Sequence, residues 1–262
     1  MLNRIVARLV AGPDFRGKFL LMRALLRPLD GQVLRSGYGP LLRVDAGDAT
    51  SRFSLRCTGD YDPVFAEVSR LRPGMAFVDI GANVGLFSIV AAERVGPSGS
   101  VAAFEPNPPI FAKLLENLAL NGAVIVSPFN LAVGADNGSA TFDSGPQGHS
   151  GRAHLAPAGS ARVEQISGDA FLNLVEPLTG ARPTMVKIDV EGAEAVVIGS
   201  MRKLLERPRL ETVVVEVDGA NLSRFGASPT DLYEAMARLG FEPKLGLLAR
   251  PHYDEVFRRA PI

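Results

Sequence analysis

Residues Phe77–Asn107 read FVDIGANVGLFSIVAAERVGPSGSVAAFEPN. The apolar run Ala76-Phe77-Val78 predicts a strand, closed by Asp79. The turn Gly81-Ala82-Asn83-Val84-Gly85 follows, and a helix runs to about Val95. Gly96-Pro97-Ser98-Gly99 breaks that helix, and Ser100 to Phe104 predicts a second strand ending on Glu105. Strand, glycine turn, helix, strand, acid is the order of a parallel nucleotide-binding βαβ unit. Glycines let a backbone approach a ligand closely, and a helix amino terminus offers unpaired N–H groups. An acid at the end of the second strand can accept hydrogen bonds from two ribose hydroxyls.

Working outward, Pro108-Pro109 opens a helix that Asn121-Gly122 ends, and Ala123 to Ser127 predicts a third strand. Thr184 to Val190 predicts a fourth, a helix follows from Gly192 to about Leu205, and Thr212 to Val217 predicts a β-branched fifth. Ser228-Pro229-Thr230-Asp231 starts a helix reaching Leu239, and the tail supplies two terminal strands. Strands alternating with helices predict a parallel sheet covered on both faces.

Residues 135–162 are polar and rich in Gly, Ser and Ala, with SATFDS as one strand. DSGPQGHSGRAHLAPAGS reads as a mobile loop, Val163 to Ile166 pairs back after it, and a short helix runs from Asp169 to about Leu174. Upstream, residues 32–58 read as short strands, with alternation in Arg52-Phe53-Ser54-Leu55-Arg56. Asp62 reads as the N-cap of a helix to about Leu71, with Pro63 in its first turn. The first 35 residues carry Arg4, Arg8, Arg16, Lys18, Arg23, Arg27 and Arg35 against Asp14 and Asp30, with Leu20, Leu21, Ala24 and Leu25 at helical spacing. That arm reads as helix packed on the main domain with a solvated basic face; the competing reading is a basic surface for an acidic membrane or partner. The division expected is a helical arm and β-hairpin cap over 1–59, then one domain over 60–262, with 135–170 a mobile insertion on the substrate side.

Composition narrows the classes. The 262 residues have a formal net charge of zero, which offers no electrostatic case for nucleic acid. The single cysteine, Cys57, rules out an internal disulfide and a cysteine zinc cluster, and favours a reducing, cytoplasmic setting. No apolar run approaches the ~20 residues of a membrane span, and the N-terminus is not read as a signal peptide.

Three features of the glycine turn narrow the ligand. The dinucleotide fingerprint G-x-G-x-x-G is absent: the spacing is Gly81-x-Asn83-x-Gly85, with no third glycine at that offset. No G-x-x-x-x-G-K-[ST] loop occurs. Asp79, just before the turn, would repel a pyrophosphate but suits a ligand with an ammonium group, hydroxyls and a sulfonium. S-adenosyl-L-methionine (SAM) has all three and no phosphate.

At this point the chain resembles a known family, the FkbM-type SAM-dependent methyltransferases. The resemblance rests on Phe77 to Gly85, Phe104-Glu105-Pro106-Asn107, Val186-Lys187-Ile188-Asp189-Val190-Glu191-Gly192-Ala193-Glu194 and the lead-in Asp62-Pro63-Val64-Phe65, and covers roughly residues 60–245. It implies an α/β class I SAM-methyltransferase (Rossmann-like) fold, with a mostly parallel seven-stranded sheet, helices on both faces and one antiparallel strand near the carboxyl end. It also implies methyl transfer to a hydroxyl oxygen of a sugar, glycolipid or secondary metabolite. The competing functions are a nicotinamide-dependent oxidoreductase and a non-catalytic SAM-binding scaffold.

On this reading Asp79, Gly81, Ala82, Asn83 and Gly85 serve the methionine part of SAM, and Glu105 its ribose. Pro106, Asn107, Asn130, Leu131 and Ala132 serve the adenine. Lys187, inside an apolar strand, is expected to pair with Asp79 or another strand-end acid, because an unpaired buried lysine is costly. Asp189 and Glu191 stand where substrate should meet the methyl group. A base is also needed to take the hydroxyl proton; the candidates are His149, His154, Asp143, Asp189 and Glu191, with Asp189, Glu191 and His149 taken as the catalytic set. No metal ligand set is assigned; a magnesium ion held by Asp189 with Glu216 or Asp218 is the alternative left open. The acceptor is expected to be a small molecule or glycan.

Overall fold

The computed structural model describes residues 5–6, 8–9, 12–13, 15–156, 159, 161–246 and 250–260. Arg4 and Asp14 of the basic arm lie outside the described residues. The core strands are β3 (Ala76–Ile80), β4 (Ser100–Phe104), β5 (Val126–Phe129), β10 (Thr184–Ile188), β11 (Leu210–Asp218), β12 (Phe241–Pro243) and β13 (His252–Arg259). They form one seven-stranded sheet in the order β12-β13-β11-β10-β3-β4-β5. The strands from β11 to β5 run parallel, and β13 is antiparallel to both of its neighbours. This is the class I methyltransferase architecture that the resemblance implies.

β3, β4 and β10 are buried at every position. Their side chains alternate between two cores, as the two-residue period of a strand requires. Phe77, Val101 and Met185 face one core with the helices Leu86–Val95 and Pro108–Leu120. Val78, Ala102 and Val186 face the other with the helices Gly168–Thr179, Glu194–Ser200 and Pro229–Arg238. The last is opened by a full capping box between Ser228 and Asp231.

The third strand starts three residues later than its apolar pattern suggested and ends two later, and Gly168–Thr179 runs on past Leu174 with Pro177 inside it. The helix that opens at Asp62 has Tyr61 at its cap position; the Asp62 carboxylate instead takes two hydrogen bonds from Arg56, at 3.0 and 2.9 Å.

Before the core, β1 (Val33–Arg35) and β2 (Leu41–Arg43) form an antiparallel hairpin. The strand expected around Arg52-Phe53-Ser54 is a helix, Ala49–Ser54. Asp48 caps it by accepting from Thr50 N at 2.8 Å, and the Arg52 guanidinium lies 4.3 Å from the Phe19 ring centroid. In the arm, Lys18–Leu26 is helical and buries Lys18, Met22 and Leu26, whereas Leu20 and Leu21 are exposed. Lys18 Nζ donates to the Gly12 carbonyl at 3.2 Å, so this member of the basic set is an internal strut.

β6 (Ala132–Val133) and, from the polar insertion, β7 (Gly138–Asp143), β8 (His154–Leu155) and β9 (Ala161–Ile166) form a second, four-stranded sheet in the order β6-β9-β7-β8. The run read as a mobile loop therefore contains a strand and a short 3-10 turn, Ser150–Arg152. Phe142, Val163 and Ala132 give this sheet its own small core. Its 3-10 turn docks on the capped helix Ala49–Ser54: Ser150 N donates to Asp48, Gly151 N to Thr50 Oγ1 at 2.8 Å, and Ala49 N to the Gly148 carbonyl at 2.8 Å. The N-terminal segment and the insertion thus make one wall at the carboxyl ends of the parallel strands.

Among the described residues no helix is long and apolar enough to cross a membrane.

Candidate active site

A cavity of about 730 Å3 opens at the carboxyl ends of β3, β4, β10 and β11, where open α/β sheets take their ligands. Its lining joins the glycine turn (Gly81, Asn83), the end of β4 (Glu105, Pro106), the mouth of β10 (Asp189, Glu191) and Glu216 on β11. His149 and Arg152 line it from the insertion, and Leu131 and Ala132 from the segment after β5.

The turn is shaped by close approach. Gly81 sits at φ +80, and a Cβ there would lie 1.8 Å from the Asp189 carbonyl oxygen. Gly81→Ala must therefore push the turn away from β10; the expected cost is about 2–4 kcal/mol of stability together with loss of SAM binding, checked by urea unfolding and calorimetry. Asn83 adopts φ +49, a left-handed conformation that asparagine tolerates better than most residues. Its backbone N–H donates to Glu105 Oε2 at 2.9 Å, which ties the turn to the end of β4. Gly85 has a different job. It sits at φ +87, and a Cβ there would meet Leu114 Cδ1 at 2.4 Å, so it lets the helix Pro108–Leu120 pack close.

Glu105 is 6% exposed. Its Oε1 accepts from Asn107 N at 2.8 Å. Burial pushes its carboxyl up to about 7, against the two backbone donors, Asn107 and Asn83, that pull it down. Each carboxylate oxygen retains a further lone pair. Asn130 spans the neighbouring turn, donating to the carbonyls of Glu105 and Pro106 at 2.8 and 3.0 Å.

The register of β10 on β3 sets Lys187 beside Asp79. Lys187 Nζ lies 3.5 Å from Asp79 and 3.1 Å from Asp189, and donates to the Gly81 carbonyl at 3.3 Å. Burial works against its charge, but Asp189 and Asp79 outweigh burial and raise its pKa. Asp79 is fully buried, accepts from Ser88 Oγ at 2.7 Å and does not line the cavity. It sits beneath the site and holds Lys187, which in turn holds both the turn and Asp189.

Beyond β10 the chain turns sharply. Glu191 has φ +58, and a Cβ on Gly192 would come within 2.4 Å of the Asn221 carbonyl oxygen. Glu194 Oε1 clamps this turn, accepting from Val190 N at 3.1 Å and Gly192 N at 3.0 Å. Glu191 is thereby presented to the cavity, with Oε2 held by Asn221 Nδ2 at 2.9 Å. Burial, then Asp189 and Glu194, push its carboxyl up to about 8. Glu216, on β11, takes a 3.0 Å contact from His252 Nε2 and is raised well above the usual carboxylate range by burial and then Asp189. Asp218 is engaged elsewhere: its carboxylate accepts from Ala220 N and Asn221 N and caps the helix Gly219–Ser223. His149 lines the cavity with Nδ1 buried and without a hydrogen-bond partner. Burial, then Arg152, lowers its pKa and keeps the imidazole neutral.

Of the candidates drawn from the sequence, Gly81, Asn83, Glu105, Pro106, Leu131, Ala132, His149, His154, Asp189, Glu191, Glu216 and Asp218 line this one cavity, and Asp143 does not. Asp79, Ala82, Gly85, Asn107 and Asn130 stand behind it. Asn221 and His252 escaped the sequence reading: each lines the cavity and holds one of its carboxylates, and neither sits in a motif.

A family model, the methyltransferase FkbM domain, matches residues 79–243. The hexuronic acid methyltransferase AglP of Haloferax volcanii is 26% identical over 237 residues, spanning 90% of this chain and 91% of that protein. The methyltransferase sdnD of Sordaria araneosa is 41% identical over 58 residues, 22% of each chain. Among solved structures, a SAM-dependent O-methyltransferase of Thermotoga maritima aligns at 12% identity and a TM-score of 0.44, covering 89% of this chain and 79% of that one. M. jannaschii TYW2 in complex with AdoMet aligns at 15% identity and a TM-score of 0.43, covering 88% and 87%. With the family model covering the glycine turn, the end of β4 and the mouth of β10, the chain belongs to the FkbM family of SAM-dependent methyltransferases.

Proposed function

We propose that this enzyme transfers the SAM methyl group to a hydroxyl of an acidic sugar, free or within a glycan. The observation that carries the reading is the single cavity joining the Glu105 side to the Asp189 and Glu191 side. The FkbM family match speaks against a nicotinamide oxidoreductase. The name of AglP, a hexuronic acid methyltransferase, supports the acidic sugar. So do the cationic side chains Arg152 and Arg250, which line the cavity along with the acids and suit a carboxylate. The acid-rich mouth of β10 favours a neutral hydroxyl, rather than the sugar's own carboxylate, at the point of transfer.

Gly81 and Asn83 shape the methionine subsite with Ala82 behind them, Gly85 seats the next helix, Glu105 takes the ribose hydroxyls, and Pro106, Leu131 and Ala132 form the adenine side, backed by Asn107 and Asn130. Asp79 acts through Lys187. Asp189 and Glu191 hold the acceptor hydroxyl in line with the sulfonium methyl, an alignment that supplies much of the rate. His149, neutral, takes the proton. The 1–59 segment and the 135–170 insertion shape the acceptor side. A cytoplasmic setting accords with the buried free Cys57, and no nucleic-acid or membrane partner is invoked.

The test is formation of S-adenosylhomocysteine with matched acceptors. Glucuronate or galacturonate glycosides should turn over, with a kcat/KM at least tenfold above the neutral hexosides. Equal rates would remove the acidic-sugar assignment.

The Glu105 role has a pH signature. In the free protein its carboxyl is protonated below about 7, whereas the ionised form accepts both ribose hydroxyls better. Binding therefore expels a proton at low pH, and affinity falls as pH drops through that value. The SAM Kd at pH 6 is expected to be roughly fivefold that at pH 7. Calorimetry should show Glu105→Gln binding SAM more weakly and with this dependence flattened.

A further inference from the structure

Three carboxylates converge at the acceptor end of the cavity. Asp189, Glu191 and Glu216 each offer an oxygen, and these oxygens all lie within 4.8 Å of one another. That spacing fits oxygens sharing one ion, since metal–oxygen distances of roughly 2.1–2.5 Å place ligand atoms about 3–5 Å apart. Every member of the trio has one oxygen tethered and the other left over. Asp189 Oδ2 is held by Lys187, Glu191 Oε2 by Asn221 and Glu216 Oε1 by His252. The remaining Glu216 oxygen, Oε2, is buried and has no hydrogen-bond partner, on a side chain that lines the cavity and belongs to a residue only 9% exposed. A desolvated acceptor without a donor is costly. Metal-binding carboxylates are oriented in this manner, by outer partners that fix one oxygen. Lys187 cannot supply the missing charge, since it is already shared between Asp189 and Asp79.

We propose that Asp189, Glu191 and Glu216 bind one divalent, oxygen-preferring cation, magnesium or manganese. The donors are all carboxylate oxygens, a hard set that suits these ions rather than zinc. The cation would leave coordination positions facing the cavity, where two neighbouring oxygens of an acceptor could bind and a bound hydroxyl would lose its proton more readily. Asp218 stands outside the three converging oxygens and spends Oδ1 as a helix cap. The site stands on these residues alone and holds whichever acceptor proves correct.

The experiment is a titration of the full chain, saturated with S-adenosylhomocysteine, with manganese. Free ion is followed by electron paramagnetic resonance, and magnesium serves as competitor. One manganese per chain is expected, displaced by magnesium and weakened at least tenfold in Glu216→Gln and, independently, in Glu191→Gln. S-adenosylhomocysteine affinity in each variant should stay within threefold of wild type, which shows that the fold and the SAM side are intact. Absence of saturable binding up to about 5 mM, or equal binding in wild type and both variants, would overturn the proposal. Because no acceptor is present, failure here is separate from failure of the acidic-sugar assignment.

Discussion

Lys187→Met should cost the fold about 3–5 kcal/mol, the range for removing one partner of a buried ion pair. The lysine side chain is 3% exposed and that of Asp79 is 1% exposed. Methionine fills the space but leaves the Asp79 carboxylate in the core with only the Ser88 hydroxyl to support it. It also frees the Gly81 carbonyl and Asp189, so the glycine turn and the mouth of β10 lose their common tether. For a chain of this size the loss corresponds to a fall in Tm of about 10 °C. SAM affinity should fall with it. The informative companion is the double variant with Asp79→Asn, which removes the stranded charge and should recover more than half of the lost stability. An unchanged unfolding midpoint in Lys187→Met would mean that the pair does not hold the core.

Glu191→Gln should show the opposite separation. Burial, then Asp189 and Glu194, already raise its carboxyl to about 8, so at neutral pH the amide replaces a mostly protonated acid and stability should not fall. SAM Kd should stay within threefold, because Glu191 lies at the acceptor end. Turnover should drop by about 10²–10⁴, the range for losing a group that acts on the transferred proton or its oxygen. A fall in kcat at constant SAM affinity separates this from a folding defect. Full activity in Glu191→Gln would remove the residue from the chemistry, and its positive φ would then reflect only the tight turn.

How far the sequence carries depends on whether the deciding contact is local. The strands of the parallel sheet are legible because burial on both faces writes an unbroken apolar run. Lys187 stands out in such a run, and the register then pairs it with Asp79. Gly81, Asn83 and Glu105 are legible through the strand–turn–strand spacing. Gly85 looks the same in sequence, yet its partner is Leu114 in the next helix, a packing contact that spacing does not reveal. The Arg52 to Arg56 segment alternates like a strand, but its first three residues close a helix, Ala49–Ser54, because Asp48 caps it and the insertion docks on it. Both causes are tertiary or depend on one side chain. Glu216 and Asp218 are two acids on one strand end, and only the helix that starts at Gly219 shows which of them is spent as a cap. The insertion looked open because its small core rests on few apolar residues, Phe142 and Val163 chief among them.

The most direct test of the account is the fate of a labelled methyl group. The purified enzyme is incubated with methyl-labelled SAM and a uronic-acid glycoside, and the product is treated with mild alkali. Alkali-stable label on the sugar, a methyl ether on a hydroxyl, is the predicted result. No transfer to any uronic-acid or neutral glycoside, or label released by alkali as from a carboxyl ester, would contradict it.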